Sequence, residues 1–281
     1  MSVIRPVGIV MEPQETHEAR DASIRRTIGS DKLVLLDPFL LLDEMSAPPT
    51  AAGEIGFPRH PHRGIETLTY LFAGGVLHKD SLGNVDSVGA GGAQWMTAGA
   101  GIFHEEYLQV GGDGHHGLQL WLNLPARLKR IPAQYRPAPA ASVPQIALDG
   151  GATARIVAGT VAGVEGAFTG IATRPLLVDL HVPAGATVDL PVTAGDNAFV
   201  FVYRGQLEIG APAVRVDSTR LAILGDGDRL QCANTGHDDA WAFVAAARPL
   251  GEPVLQYRSL VMNTVDEMKE ALDDLERGTF V

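Results

Sequence analysis

The chain has a single cysteine, Cys232, in 281 residues. That excludes an intramolecular disulfide and any metal site built from several thiolates, and it suits a reducing compartment. Cys232 sits on an alternating stretch and reads as a small buried residue. Basic residues are also scarce. Lys and Arg number 22 against 33 Asp and Glu, a formal net charge of −11, and such a field repels phosphate backbones and anionic membranes. Direct nucleic-acid binding is therefore not expected. No apolar run is long enough to span a bilayer, and Met1–Pro6 lacks the apolar core of a signal peptide, so the expected location is the cytoplasm. The glycine-rich stretch 88–101 lacks both the Gly-Lys-Ser/Thr ending and the following helix of a phosphate-binding loop. Its glycines read as tight turns and close backbone approach.

What is abundant is punctuation: 32 glycines and 18 prolines divide the chain into short Val-, Leu-, Ile- and Phe-rich runs. That texture predicts an all-β protein of sandwich or barrel class. The length fits two domains, which the sequence places at 1–125 and 146–263. The Pro-rich, locally basic stretch 126–145, with Arg127, Lys129, Arg130 and Arg136, reads as the linker between them, and 264–281 as a terminal helix and tail.

Within the first half, Leu33–Leu42 is broken by Pro38 and reads as two buried strands with a kink. Asp43 and Glu44 read as the solvated end of that run. Met45–Gly56 reads as a loop, Val76–Ser81 as a strand returning from the Ala73-Gly74-Gly75 turn, and Leu118–Leu124, which alternates strictly, as a half-buried strand. The second half repeats the pattern faintly. Aligning Gly205 on Gly74 sets Pro191, Thr193 and Asn197 where His60, His62 and Glu66 stand, so the repeat carries no matching polar set. His181 looks isolated, and His237 with Asp238 and Asp239 reads as a polar loop. Thr264–Gly278 is the expected helix: Thr264-Val265-Asp266-Glu267 forms a capping box, and Val265, Met268, Ala271, Leu272 and Leu275 form one apolar stripe.

Two short pairs carry the chemistry. His60-x-His62 and His104-x-Glu106 have the period-2 spacing that projects both side chains from one face of a strand. Three imidazoles and a carboxylate suit a divalent first-row metal. If no bulge intervenes, Glu66 shares the face of His60 and His62, so spacing leaves Glu66 and Glu106 as competing fourth ligands; Glu105 should point away. Phe57, Arg63 and Met96 are candidates for the wall of the site.

The blocks Gly56–Gly64 with Glu66-Thr67, Gln94-Trp95-Met96-Thr97-Ala98-Gly99 and Gly101-Ile102-Phe103-His104-Glu105-Glu106 resemble the pirin family. So do Leu36–Leu41, Gly117–Leu124 and Val261-Met262-Asn263-Thr264. The resemblance implies a bicupin of two jelly-roll barrels with one metal ion, usually Fe(II), in the N-terminal barrel only, held by residues matching His60, His62, His104 and Glu106. It thereby favours Glu106 over Glu66, leaving Glu66 as a neighbour of the ligand shell. It further implies a quercetinase-like dioxygenase acting on a flavonol-like substrate and O2; in such a site Glu106, as the only anionic ligand, is the expected catalytic base for the substrate's hydroxyl proton. The alternative is an iron-dependent, redox-responsive regulator that binds a protein partner. Arg258-Ser259-Leu260 departs from the family pattern, which has a Gly-Pro-Phe-like sequence there.

Overall fold

The short apolar runs ending at glycine become antiparallel strands, each alternating between a buried and a solvated face. The computed structural model describes residues 2–16, 22–51 and 55–281. It divides into two compact units, one formed by residues 14–142 and 250–281, the other by 1–13 and 143–249. The first is called here the histidine unit and the other the second unit.

In the histidine unit, a seven-stranded sheet has the order Gln134–Ala138, Ala93–Thr97, Ile65–Ala73, His115–Asn123, Phe39–Ala47, Ser23–Arg26, Gln14–Thr16. A four-stranded sheet has the order Gly56–His62, Ile102–Gln109, Gly75–Asp80, Val85–Gly89. The second unit repeats the plan with a seven-stranded sheet running from Val7–Met11 to Gln145–Ala147 and a four-stranded sheet Thr187–Pro191, Arg229–Ala233, Gln206–Ile209, Val214–Asp217. Both are jelly-roll barrels. The all-β expectation holds, with one α-helix, Val265–Arg277, among the described residues. No helix there is long and apolar enough to cross a membrane.

The units are not the consecutive segments that the sequence implied. Val7–Met11 pairs with Arg220–Leu224, so the start of the chain is an edge strand of the second unit. The stretch expected as a linker instead contributes Gln134–Ala138 to the histidine unit, paired with Ala93–Thr97. The expected terminal segment also belongs to that unit. Composition marked the prolines correctly but not their place, since an edge strand tolerates proline.

The terminal helix carries the expected capping box between Thr264 and Glu267 and ends on Gly278 in the left-handed conformation. Its stripe is only partly used: Met268 and Ala271 are buried, while Val265 and Leu272 are exposed. Leu33–Leu36 is not a strand; Leu36 and Phe39 exchange backbone hydrogen bonds across Pro38, and the strand begins only at Phe39. Of the expected loop Met45–Gly56, residues 52–54 lie outside the described residues, and its ends are already strand.

Candidate metal centre

Three histidines converge on the inner face of the four-stranded sheet. His60 and His62 lie on Gly56–His62, and His104, on Ile102–Gln109, stands directly opposite His60 in register. The His60 Nε2 lies 3.0 Å from His62 Nε2 and 3.0 Å from His104 Nε2. His60 Nδ1 donates to the Pro58 carbonyl at 2.8 Å, the tautomer that in a neutral ring presents Nε2 as a lone pair. Burial, reinforced by the neighbouring rings, holds His62 and His104 well below the usual imidazole range. Three imidazole nitrogens that converge in this way can turn their lone pairs toward one shared cation. Nitrogens ~2.1 Å from a shared ion and at right angles to one another would be ~3.0 Å apart, which matches the separation of the bonded pairs. The donor set therefore fits a divalent first-row ion.

Glu106 stands beside this triad in a second group, in which its ligand atom and those of His78 and His104 lie within 4.8 Å of one another. Its carboxylate is fixed by donors from the facing sheet. Oε1 accepts from Gln94 in a short contact and from Thr69 Oγ1 at 3.3 Å, and Oε2 accepts from Gln119 Nε2 at 2.9 Å. Gln119 is itself oriented by Trp121 Nε1 at 2.9 Å, and Gln94 by the Tyr135 hydroxyl at 3.0 Å.

Behind His104 lies a layer the sequence reading missed. His104 Nδ1 meets His78 Nδ1 at 3.5 Å, and His78 Nε2 donates to Asp80 Oδ2 at 3.0 Å. Burial opposes the Asp80 charge, but hydrogen bonds from Asn84 and His78 hold its carboxyl below the usual range. The His78 ring stacks on Tyr135 with centroids 3.9 Å apart. Burial, with nearby carboxylates, pushes the Tyr135 phenol upward, so it remains a hydroxyl donor. His78-x-Asp80 has the same period-2 spacing as the two recognised pairs, and that was the available signal. Tyr135 had none, because it lies in the stretch taken as linker.

Glu66 does not reach the triad. The strand ends at His62 and a new one begins at Ile65 after a turn in which Gly64 takes φ 79°. A Cβ there would collide with the Val261 carbonyl oxygen. Counting even positions through the turn fails for that reason. Glu66 pairs with Thr97 and Leu122, on the face opposite to Thr69 and Gln119, and accepts from Thr97 Oγ1 at 2.8 Å and Trp95 Nε1 at 3.2 Å. Burial raises its pKa against those bonds.

Other expectations change too. Asp43 and Glu44 are buried rather than solvated, because the strand carries on to Ala47. Arg26 binds both Asp43 oxygens at 2.8 Å, and Glu44 pairs with Arg25 and His116. Arg63 turns away from the site to Asp274 and the Phe280 carbonyl, and Met96 packs in an apolar cluster with Leu40 and Ile65. Lys129 is buried, its ammonium donating to Gly64 O, Asn123 Oδ1 and Val261 O. His181 is not isolated but pairs with Asp239 at 2.8 Å.

A cavity of about 420 Å³ opens at His60. His60 and Glu106 line it together with Phe57, Leu41, Trp121 and Gln119, and several arginines stand among its polar residues. Of the three expected wall residues, Phe57 alone belongs to this lining.

The comparisons with known proteins agree with this architecture. The Pirin family profile matches residues 21–122, and the Pirin C-terminal cupin domain matches residues 177–281. A pirin-like protein of Caulobacter vibrioides is 37% identical over 99% of both chains. Pirin of Rattus norvegicus is 36% identical over 99% of this chain and 94% of its own. The crystal structure of quercetin 2,3-dioxygenase from Acinetobacter baumannii superposes with a TM-score of 0.89 at 31% identity, covering 99% of each chain. Two barrels of one plan, a histidine triad in one of them and full-length similarity lead to a single assignment: the chain belongs to the pirin family.

Proposed function

We propose that the protein is a mononuclear metal dioxygenase that opens flavonols such as quercetin with O2, with Fe(II) held by His60, His62, His104 and Glu106. The observation that carries this reading is the convergence of imidazole nitrogens around His60 Nε2, 3.0 Å from each neighbour, beside a cavity of about 420 Å³ lined by Phe57, Leu41 and Trp121. The similarity to the Acinetobacter quercetin 2,3-dioxygenase structure supports the choice of substrate class. When bound, a divalent ion of this kind supplies a Lewis-acid position for a substrate oxygen and a route for electrons to dioxygen.

The chain's own residues do the remaining work. Trp121 and Phe57 offer flat apolar surface to an aromatic ring, and Trp121 packs edge-on to His62 with centroids 5.0 Å apart. Gln94, Thr69 and Gln119 keep the Glu106 carboxylate aimed and hydrogen-bonded. Glu106 is then placed to take the hydroxyl proton of an entering flavonol, with Gln119 as the donor that stabilises whichever oxygen remains charged. His78 and Asp80 fix the orientation of the His104 ring from behind.

The test is metal analysis of the purified protein followed by dioxygen uptake with quercetin. One metal equivalent per chain and uptake abolished in His60→Ala are the expected results. Glu106→Gln that retained both metal and full turnover would remove Glu106 from the base role. Metal without any turnover would instead favour the redox-responsive regulator.

A further inference from the structure

The rim of the cavity is more cationic than the rest of this acidic chain. Three arginines, Arg26, Arg59 and Arg258, line it against two carboxylates, Asp43 at the rim and Glu106 deeper in, the latter held by Gln94, Thr69 and Gln119. Arg26 is neutralised by Asp43 through two 2.8 Å bonds. Arg59 and Arg258 pair with no carboxylate among the described residues; the Arg59 guanidinium rests 4.9 Å from the Phe103 ring centroid and that of Arg258 5.6 Å from Tyr257. In a protein of net charge −11, a lining that keeps one net positive charge, with two arginines outside any ion pair, is a local inversion of the field.

Arg258 is also held in an unusual way. It occupies the turn between Leu255–Tyr257 and Leu260–Met262 with φ 55°, a conformation that favours glycine and disfavours a long side chain. The turn is tied to the strand bearing the histidines. Ser259 Oγ donates to the Pro61 carbonyl at 2.6 Å, between His60 and His62, and Val261 N donates to the Arg63 carbonyl at 3.0 Å. Gln256 Nε2 fixes the Arg258 carbonyl at 3.0 Å. The guanidinium is thus carried on a hairpin in register with the triad.

We propose that the cavity selects a planar aromatic anion, an enol or phenol bearing a second charged substituent such as a carboxylate, with Arg258 as the residue that recognises the charge at the rim. The apolar walls Phe57, Leu41 and Trp121 hold the ring, the floor takes the oxygen that reacts, and the anionic end faces outward. This rests on the reading of the cavity as the substrate site and goes beyond it in substrate class, since a neutral flavonol leaves Arg258 without a partner.

The experiment is calorimetric titration of the metal-loaded, full-length protein with 2-naphthoate and with its neutral isostere 2-naphthamide. Naphthoate should bind about fivefold more tightly, the upper range for a rim-exposed ion pair, and the preference should shrink in high salt. In Arg258→Gly, which the positive φ accommodates without strain, the preference should vanish while naphthamide affinity stays within about twofold. Arg258→Glu should reverse it. Equal affinities in the unmodified protein would overturn the proposal, and so would a preference unchanged in Arg258→Gly, which would assign the carboxylate to the metal instead. Failure of the dioxygenase reading shows separately, as absence of oxygen uptake with quercetin while the charge preference persists.

Discussion

The two barrels share a strand plan and differ in what their inner faces carry. In the histidine unit, His60 faces His104 and His78 faces Glu106 across neighbouring strands. In the second unit the same pairs of positions hold Leu190 opposite Leu230 and Ile209 opposite Cys232. All four belong to one apolar core that also contains Val192. A glycine turn precedes both hairpins, and four residues on from Gly74 and Gly205 stand His78 and Ile209. One unit fills its barrel with hydrocarbon, which stabilises it by roughly 1.5–3 kcal/mol for each large side chain. The other gives up that stabilisation and fills the same space with imidazoles, amides and a carboxylate, each satisfied by a hydrogen bond or aimed at a common point. A barrel with a candidate metal centre and one with an apolar core thus arise from one topology by exchange of a few inward positions.

The register also corrects the simple repeat alignment. Leu190 lies 15 residues before Gly205, whereas His60 lies 14 before Gly74, so one residue is added between strand and turn. That shift moves the counterparts of His60 and His62 from the exposed Pro191 and Thr193 to the buried Leu190 and Val192. With a side-chain period of two, one residue decides which face is read. The absence of a ligand set in the repeat holds under either alignment.

The contrast can be broken at its strongest point by His104→Ala, which removes the residue common to both ligand groups. Bound metal should be lost and quercetin-dependent oxygen uptake should fall to background, as read by metal analysis and an oxygen electrode. Next comes the reverse exchange, Leu230→His. It buries an imidazole among hydrocarbon with no partner and should cost about 3 kcal/mol by urea denaturation, without creating a metal site.

His78→Ile installs the second unit's residue behind His104. Metal affinity should fall about 10- to 100-fold through loss of ring orientation, while thermal stability is kept, a split that a purely structural role would not give. A smaller effect separates the units by pH. His62 and His104 are held well below the ordinary value of 6.5, so below that pH the unfolded chain takes up protons that the metal-free folded site refuses. Stability is fully present above about 6.5 and falls on acidification, by up to about 1.4 kcal/mol per pH unit for each histidine. Hydrogen exchange of the metal-free protein should show this loosening in Ile102–Gln109 and not in Arg229–Ala233. Burial pushes the Cys232 thiol up to about 12, so the second unit's core has no group that titrates in this range.

Much of the site was legible because it is written in pairs. Period-2 spacing marked His60, His62, His104 and Glu106, and the capping box marked the helix. Tyr135, Gln94 and Gln119 left no comparable trace, since each is an ordinary residue whose importance comes from the strand packed opposite it. Glu66 shows the converse: its spacing was right and its face was wrong, because a glycine turn at 64 separates it from the histidines.

The sequence by itself determined the fold class, the two-barrel repeat and the ligand types, because these depend on local periodicity and on side-chain chemistry. Only the tertiary structure showed that Glu66 turns to Thr97 and Trp95, that the first strand belongs to the second barrel, and that Arg258 lines the same cavity as His60. Those are matters of register and of contacts between residues far apart in the chain. The two pairs could each be recognised alone, but that His60 stands opposite His104 is fixed only when the strands between them have folded.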